Sequence, residues 1–125
     1  GTYAFKSLLD AGTCLSFGSD WPVAPLDPRT GIHAAVLRQT IDGANPDGWQ
    51  PQERVSVEAA LRAYTCNNAY AGFQDDRLGS VAPGYLADFA VLAADPRAID
   101  PAGSLRVPVL RTVVGGRERF ISSEA

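Results

Sequence analysis

An α/β chain that passes into a short β meander is the fold class this sequence predicts, and three observations predict it. Apolar residues recur at helical spacing in several stretches up to Asn68. Between the first two of these lies a short apolar run, residues 13–17, with no clear alternation and an abrupt stop at Gly18-Ser19-Asp20. Beyond Gly72 the apolar residues fall instead into short runs separated by Gly and Pro, which is the pattern of strands.

Each element follows in order. Phe5, Leu8 and Leu9 sit at helical spacing, and Gly12 stands where a left-handed C-cap is wanted, so residues 3–11 read as the tail of a helix. Residues 13–17 then read as a buried parallel strand that ends in a loop. Pro22, Pro25 and Pro28 stiffen that loop, and Asp27-Pro28-Arg29-Thr30 starts a second helix, whose apolar face Ile32, Ala35, Val36 runs to about Ile41. The polar, Gly-rich stretch 42–48 reads as a surface excursion. Ser56 is placed as an N-cap with Glu58 in the first turn, and Val57, Ala60, Leu61, Tyr64 and Asn68 form one face of a third helix. Three strands are expected at 87–93, 109–114 and 117–121, the last two joined by Gly115-Gly116 in a two-residue hairpin. One parallel strand cannot make a sheet alone, so the chain reads as part of something larger.

Composition excludes several classes. The 125 residues are 46% hydrophobic and 20% charged, with a formal net charge of -3, a balance unlike that of a disordered tail or a collagen. No stretch approaches the ~20 consecutive apolar residues of a membrane span, and the N-terminus lacks both a signal-peptide pattern and an initiator Met, which points to a processed or truncated chain. Eleven basic and fourteen acidic residues, with no run of either sign, leave no footprint for nucleic acid or anionic lipid. Cys14 and Cys66 form neither a disulfide scaffold nor a zinc spacing, so a reducing cytoplasm is expected. Ten Arg against one Lys, beside much Ala, Gly and Pro, hint at a GC-rich bacterial source.

Asp20 stands out chemically, because it immediately follows an apolar strand and such strand ends collect catalytic side chains in barrels. A carboxylate there suits metal ligation or general-base work, while an Asx-turn is the competing structural role. Trp21, Pro22 and Val23 follow it and are placed either as a pocket wall that binds substrate or as packing on the barrel rim. His33, the only histidine, reads as a surface or packing residue, since no partner residues accompany it. Ser19 lacks a nucleophile elbow and reads as loop geometry, and Lys6 precedes the strand and is no metal bridge. Asp88 sits in an apolar run and reads as a backbone cap at a strand start, while Tyr64-Thr65 and Asn67-Asn68 read as helix-end or interdomain contacts.

Four blocks in the same order carry a resemblance. They are Phe17-Gly18-Ser19-Asp20-Trp21-Pro22-Val23, the run from Glu53 through Thr65 with Asn68-Ala69-Tyr70, the run from Leu78 through Leu92, and Thr112 through Arg117. Together they cover almost the whole chain, which resembles the C-terminal part of the amidohydrolase superfamily and more narrowly its YtcJ-like branch, the amidohydrolase 3 family. The resemblance implies a (β/α)8 TIM barrel plus a small β-sandwich, with residues 1–75 the end of the barrel and residues 76–125 the C-terminal part of the sandwich. It implies hydrolysis of C–N bonds in small amide-type substrates by water activated on a divalent metal, zinc being expected. Asp20 matches the aspartate of the eighth strand, at the metal and handling the proton of the attacking water. The other ligands implied, a His-x-His pair, a carboxylated Lys or acidic residue and two further histidines, have no counterpart among these residues, so no metal is expected on this chain alone.

The reading is therefore a C-terminal piece of a metal-dependent amidohydrolase, inactive by itself, in need of its N-terminal barrel portion and prone to homo-oligomerise or aggregate. Two rivals are a self-contained α+β binding or scaffold domain, and a subunit that completes its barrel with a separate N-terminal chain.

Overall fold

Gly12 closes the first helix as the sequence predicts. In the computed structural model, which describes residues 2–123, helix α1 spans Phe5–Asp10, and Gly12 takes φ +83° just beyond Ala11. The Thr13 N–H donates to the Leu8 carbonyl at 3.0 Å and the Gly12 N–H to Leu9 at 2.9 Å, the crossed pair of bonds of a Schellman cap. Helix α2, Pro28–Leu37, starts where Asp27 accepts the Arg29 N–H at 3.0 Å with Pro28 at the first helical position. It stops at Arg38, which adopts φ +60°, so the apolar face ends short of Ile41.

The third helix is interrupted. Ser56 accepts the Ala59 N–H at 3.1 Å as expected, and α3 spans Val57–Tyr64, but Thr65 breaks it and α4 restarts over Cys66–Ala71. The Thr65 hydroxyl donates to the Leu61 carbonyl at 2.8 Å, the back-bonding that bends helices. Asn67 and Asn68 are thereby set apart from the face begun by Val57 and Ala60.

Residues 13–17 also depart from expectation, since they belong to no strand. A parallel strand requires a neighbour, and among the described residues none lies beside this segment. Leu15 is its only buried residue, and its polar backbone groups are met by the helical segments instead: the Phe17 N–H donates to the Ala63 carbonyl at 3.0 Å.

The three tail strands form as predicted, over Phe89–Leu92 (β1), Val109–Val114 (β2) and Arg117–Ile121 (β3), in an antiparallel sheet of order β1-β2-β3. Phe89 pairs with Val113, and Val114 with Arg117 across Gly115 and Gly116, both at positive φ as a tight hairpin requires. Asp88 does cap backbone: its carboxylate accepts the Gly115 N–H at 2.5 Å.

The core lies between α2 and α3, where Ile32, Ala35, Val36, Val55 and Ala60 pack with Phe5, Leu9, Phe17 and Tyr64 around them. Helix α2 also touches the 3-10 turn Pro101–Arg106, and Arg29 Nη1 donates to the Val107 carbonyl at 2.7 Å, tying the sheet region to the helices.

Candidate functional site

Asp20 is presented rather than packed. The residue is exposed and adopts φ +51°, a left-handed conformation that Asp tolerates better than most side chains. Its carbonyl accepts the Val23 N–H at 2.8 Å and the Ser19 carbonyl accepts the Ala24 N–H at 3.2 Å, so residues 19–24 form a turn closed on itself. The Trp21–Pro22 peptide bond within it is cis. The Asp20 carboxylate has no hydrogen bond or ion pair among the described residues, so it caps no part of its loop. An exposed, uncommitted carboxylate can bind a cation or exchange a proton with water.

Trp21 is 62% exposed and Val23 80%, and Pro22 is exposed as well, so an apolar rim stands beside the carboxylate. Ser19 lies in the turn through its backbone carbonyl, as loop geometry would have it.

The segment leading to this turn is held from one side by amides. Asn67 Nδ2 donates to the Leu15 carbonyl at 2.8 Å, and Asn68 Nδ2 donates to the Phe17 carbonyl at 2.9 Å. The Ser16 hydroxyl closes onto Asn68 Oδ1. The sequence places both asparagines at helix-end or interdomain contacts and gives no sign that they grip the segment carrying Asp20, which they do from the helix that restarts after Thr65.

A cavity of about 350 Å³ opens beside the Phe17 end of the same segment, walled by Phe5, Phe17, Trp49, Tyr64, Tyr3 and Arg38. The buried Arg38 guanidinium lies 5.0 Å from the Phe5 ring centroid and 5.2 Å from that of Trp49, and its Nε donates to the Trp49 carbonyl at 3.1 Å. Burial lowers the Arg38 pKa, and the Glu53 carboxylate works against that shift. Glu53 in turn accepts the Ser7 hydroxyl at 2.6 Å and the Ser7 N–H at 2.9 Å, bonds that hold its own pKa below the ordinary carboxylate value. Neither Asp20, Trp21 nor Pro22 lines this cavity. Its aromatic walls come from distant parts of the sequence, so no local spacing announced it.

His33 is buried on α2, and burial pushes its pKa down, favouring the neutral ring at pH 7. It is a packing histidine, as one of the two sequence expectations had it. Cys14 and Cys66 are both free thiols. Among the described residues no three His, Cys, Asp or Glu side chains converge on a point where a metal would sit. One carboxylate does not fit a divalent ion by itself.

The sequence profile of the amidohydrolase family matches residues 1–120. YtcJ of Bacillus subtilis strain 168, whose name places it among the amidohydrolases, is 37% identical over 115 residues, covering 92% of this chain and 22% of its own length. The N-substituted formamide deformylase of Arthrobacter pascens is 39% identical over 120 residues, covering 94% of this chain and 21% of its own. A crystal structure of an amidohydrolase from Thermotoga maritima MSB8 superimposes with a TM-score of 0.66 at 27% identity, over 96% of this chain and 26% of that one. The chain thus spans about a fifth of the length of the two sequence relatives.

Proposed function

This chain belongs to the amidohydrolase family, and on that premise we propose that it is the C-terminal part of a metal-dependent hydrolase of C–N bonds other than peptide bonds. Residues 1–75 are the end of its (β/α)8 barrel and residues 76–125 the last strands of its small β-sandwich. The unpartnered segment 13–17 and the open faces of the three-stranded sheet support that placement. A cytoplasmic setting suits the two free thiols, and among the described residues no helix is long and apolar enough to cross a membrane.

The observation that carries the catalytic reading is the Asp20 carboxylate, exposed and free of hydrogen bonds on a self-closed turn. In the complete enzyme it accepts a proton from the attacking water and returns it to the leaving nitrogen as the C–N bond breaks. Trp21 and Pro22 form the apolar wall against which a small amide lies. A divalent ion, with zinc the first candidate, finds at most one ligand here in Asp20, and the others must come from outside this chain. The isolated chain is inactive on this reading.

The test uses the complete polypeptide that contains this chain, with N-phenylformamide as a probe amide because one relative is named for acting on N-substituted formamides. Aniline release is followed by absorbance. Asp20→Asn is expected to lower kcat by about 10²–10⁴-fold with KM little changed, the range found for loss of a proton-transfer group. A variant that keeps the parent rate overturns the assignment.

A further inference from the structure

Asp20 needs its position fixed, and what fixes it is visible in the hydrogen bonds. Among the described residues, residues 18–26 hydrogen-bond only among themselves, through the Val23-to-Asp20 and Ala24-to-Ser19 backbone pairs. The turn is therefore held to the rest of the fold only through its two ends, Phe17 by way of Gly18 on one side and the α2 cap Asp27 on the other. Phe17 in turn belongs to a segment that has no strand neighbour among the described residues. Its backbone is instead tied to the α3–α4 corner by Phe17 N–H to Ala63, Asn67 Nδ2 to Leu15 and Asn68 Nδ2 to Phe17.

Asn68 binds the carbonyl of Phe17, the residue of this set nearest Asp20 in the chain, and its own orientation is determined by its partners. Nδ2 donates to two carbonyls, Phe17 at 2.9 Å and Tyr64 at 3.4 Å, so Oδ1 is left to accept, and the Ser16 hydroxyl donates to it. A carboxylate of the same shape would place acceptors against both carbonyls. We propose that Asn68 is a positioning residue for Asp20, with Ser16 locking its amide. It acts by clamping the Phe17 carbonyl from which the Asp20 turn projects. The proposal rests on the reading of Asp20 as the proton-transfer group. A displacement of that carboxylate by about 1 Å is enough to cost on the order of 100-fold in rate.

The experiment compares Asp20→Asn, Asn68→Asp, Ser16→Ala and the double variant Asp20→Asn/Asn68→Asp in the complete polypeptide, again with N-phenylformamide. Asn68→Asp is expected to lower kcat by at least tenfold while KM stays within twofold. Ser16→Ala, at an exposed site, should lower it in the same sense by a few-fold. The double variant should be no slower than Asp20→Asn alone, because a residue that acts through Asp20 has nothing left to act on. A kcat for Asn68→Asp within twofold of the parent overturns the proposal, as does a double variant whose losses multiply. Should Asn68→Asp fail to fold, Ser16→Ala decides: a loss that vanishes in the Asp20→Asn background supports the clamp, and an unchanged kcat overturns it. An inactive Asp20→Asn beside an unaffected Asn68→Asp removes only the clamp, whereas a fully active Asp20→Asn removes the reading of Asp20 itself and the clamp with it.

Discussion

Single carboxylates decide how this chain responds to acid. Glu53 is buried and takes two hydrogen bonds from Ser7, first the hydroxyl and then the backbone N–H, which depress its pKa below the ordinary 4.5. The Arg97 side chain holds Asp95 at about 2, and Arg29 lowers Asp27 in the same way. A carboxylate whose folded pKa lies below its unfolded one contributes stability that is complete above the unfolded value and lost as pH falls through the folded one. Buried His33, with its pKa lowered below 6.5, likewise favours the folded state above that value and opposes it below. The thermal midpoint of the complete polypeptide is therefore expected to decline gently below about pH 6.5 and steeply between about pH 4.5 and 2. Glu53→Gln should lower the midpoint at pH 7 and reduce the slope below pH 4.5; a midpoint and slope both equal to the parent's would show that the Ser7 bonds do not stabilise the fold. Asp88 was legible, because it stands at a strand start where a backbone cap is wanted, and it accepts the Gly115 N–H there. Arg38 was not, because its partners Phe5 and Trp49 are remote in sequence and only the folded chain stacks them on its guanidinium.

At the scale of elements, ends were readable and interruptions were not. Gly12, Asp27, Ser56 and Gly115-Gly116 each carry local chemistry that fixes a cap or turn, and each does so in the structure. Thr65 broke a helix whose apolar spacing continued straight through it, and its side-chain bond to Leu61 competes with helix geometry in a way that periodicity does not register. The contact between α2 and α3 shows the same limit. Gly31 looks like a weak point in a helix, yet a Cβ there would lie 1.7 Å from the Tyr64 hydroxyl oxygen and 2.7 Å from Cζ, so the glycine makes room for the ring. Gly31→Ala should therefore destabilise the complete polypeptide by about 1–3 kcal/mol, despite the better helix propensity of Ala. Urea unfolding measures this, and Tyr64→Leu added to Gly31→Ala should recover part of the loss. A Gly31→Ala variant as stable as the parent would mean that the ring swings aside at no cost.

The whole molecule exposes more surface than a compact monomer of its size. Its accessible surface is 8084 Å², whereas a compact monomer of 13.2 kDa is expected to expose about 6400 Å². The excess is apolar in part. Phe73 is 92% exposed and Val81 84%, Trp21, Val23 and Leu26 stand out together, and the sheet leaves Phe89, Val91, Phe120 and Ile121 uncovered. Among the described residues no large side chain is fully buried. The sequence already implied this, since an unpaired apolar segment at 13–17 and three strands cannot close a sheet or cover two sets of helix faces. What it could not show was how the chain manages the deficit, by substituting Asn67, Asn68 and Ala63 for strand neighbours. Apolar surface on this scale binds dyes and other copies of the chain. The 125-residue chain alone is expected to bind anilinonaphthalene sulfonate strongly and to elute from a sizing column as a mixture of masses above 13.2 kDa that grows with concentration. Adding the rest of the polypeptide as a separate chain should suppress both effects. A monodisperse, dye-free monomer with cooperative unfolding would instead mark a self-contained domain, and the apolar rim beside Asp20 would then lose its place in a barrel mouth.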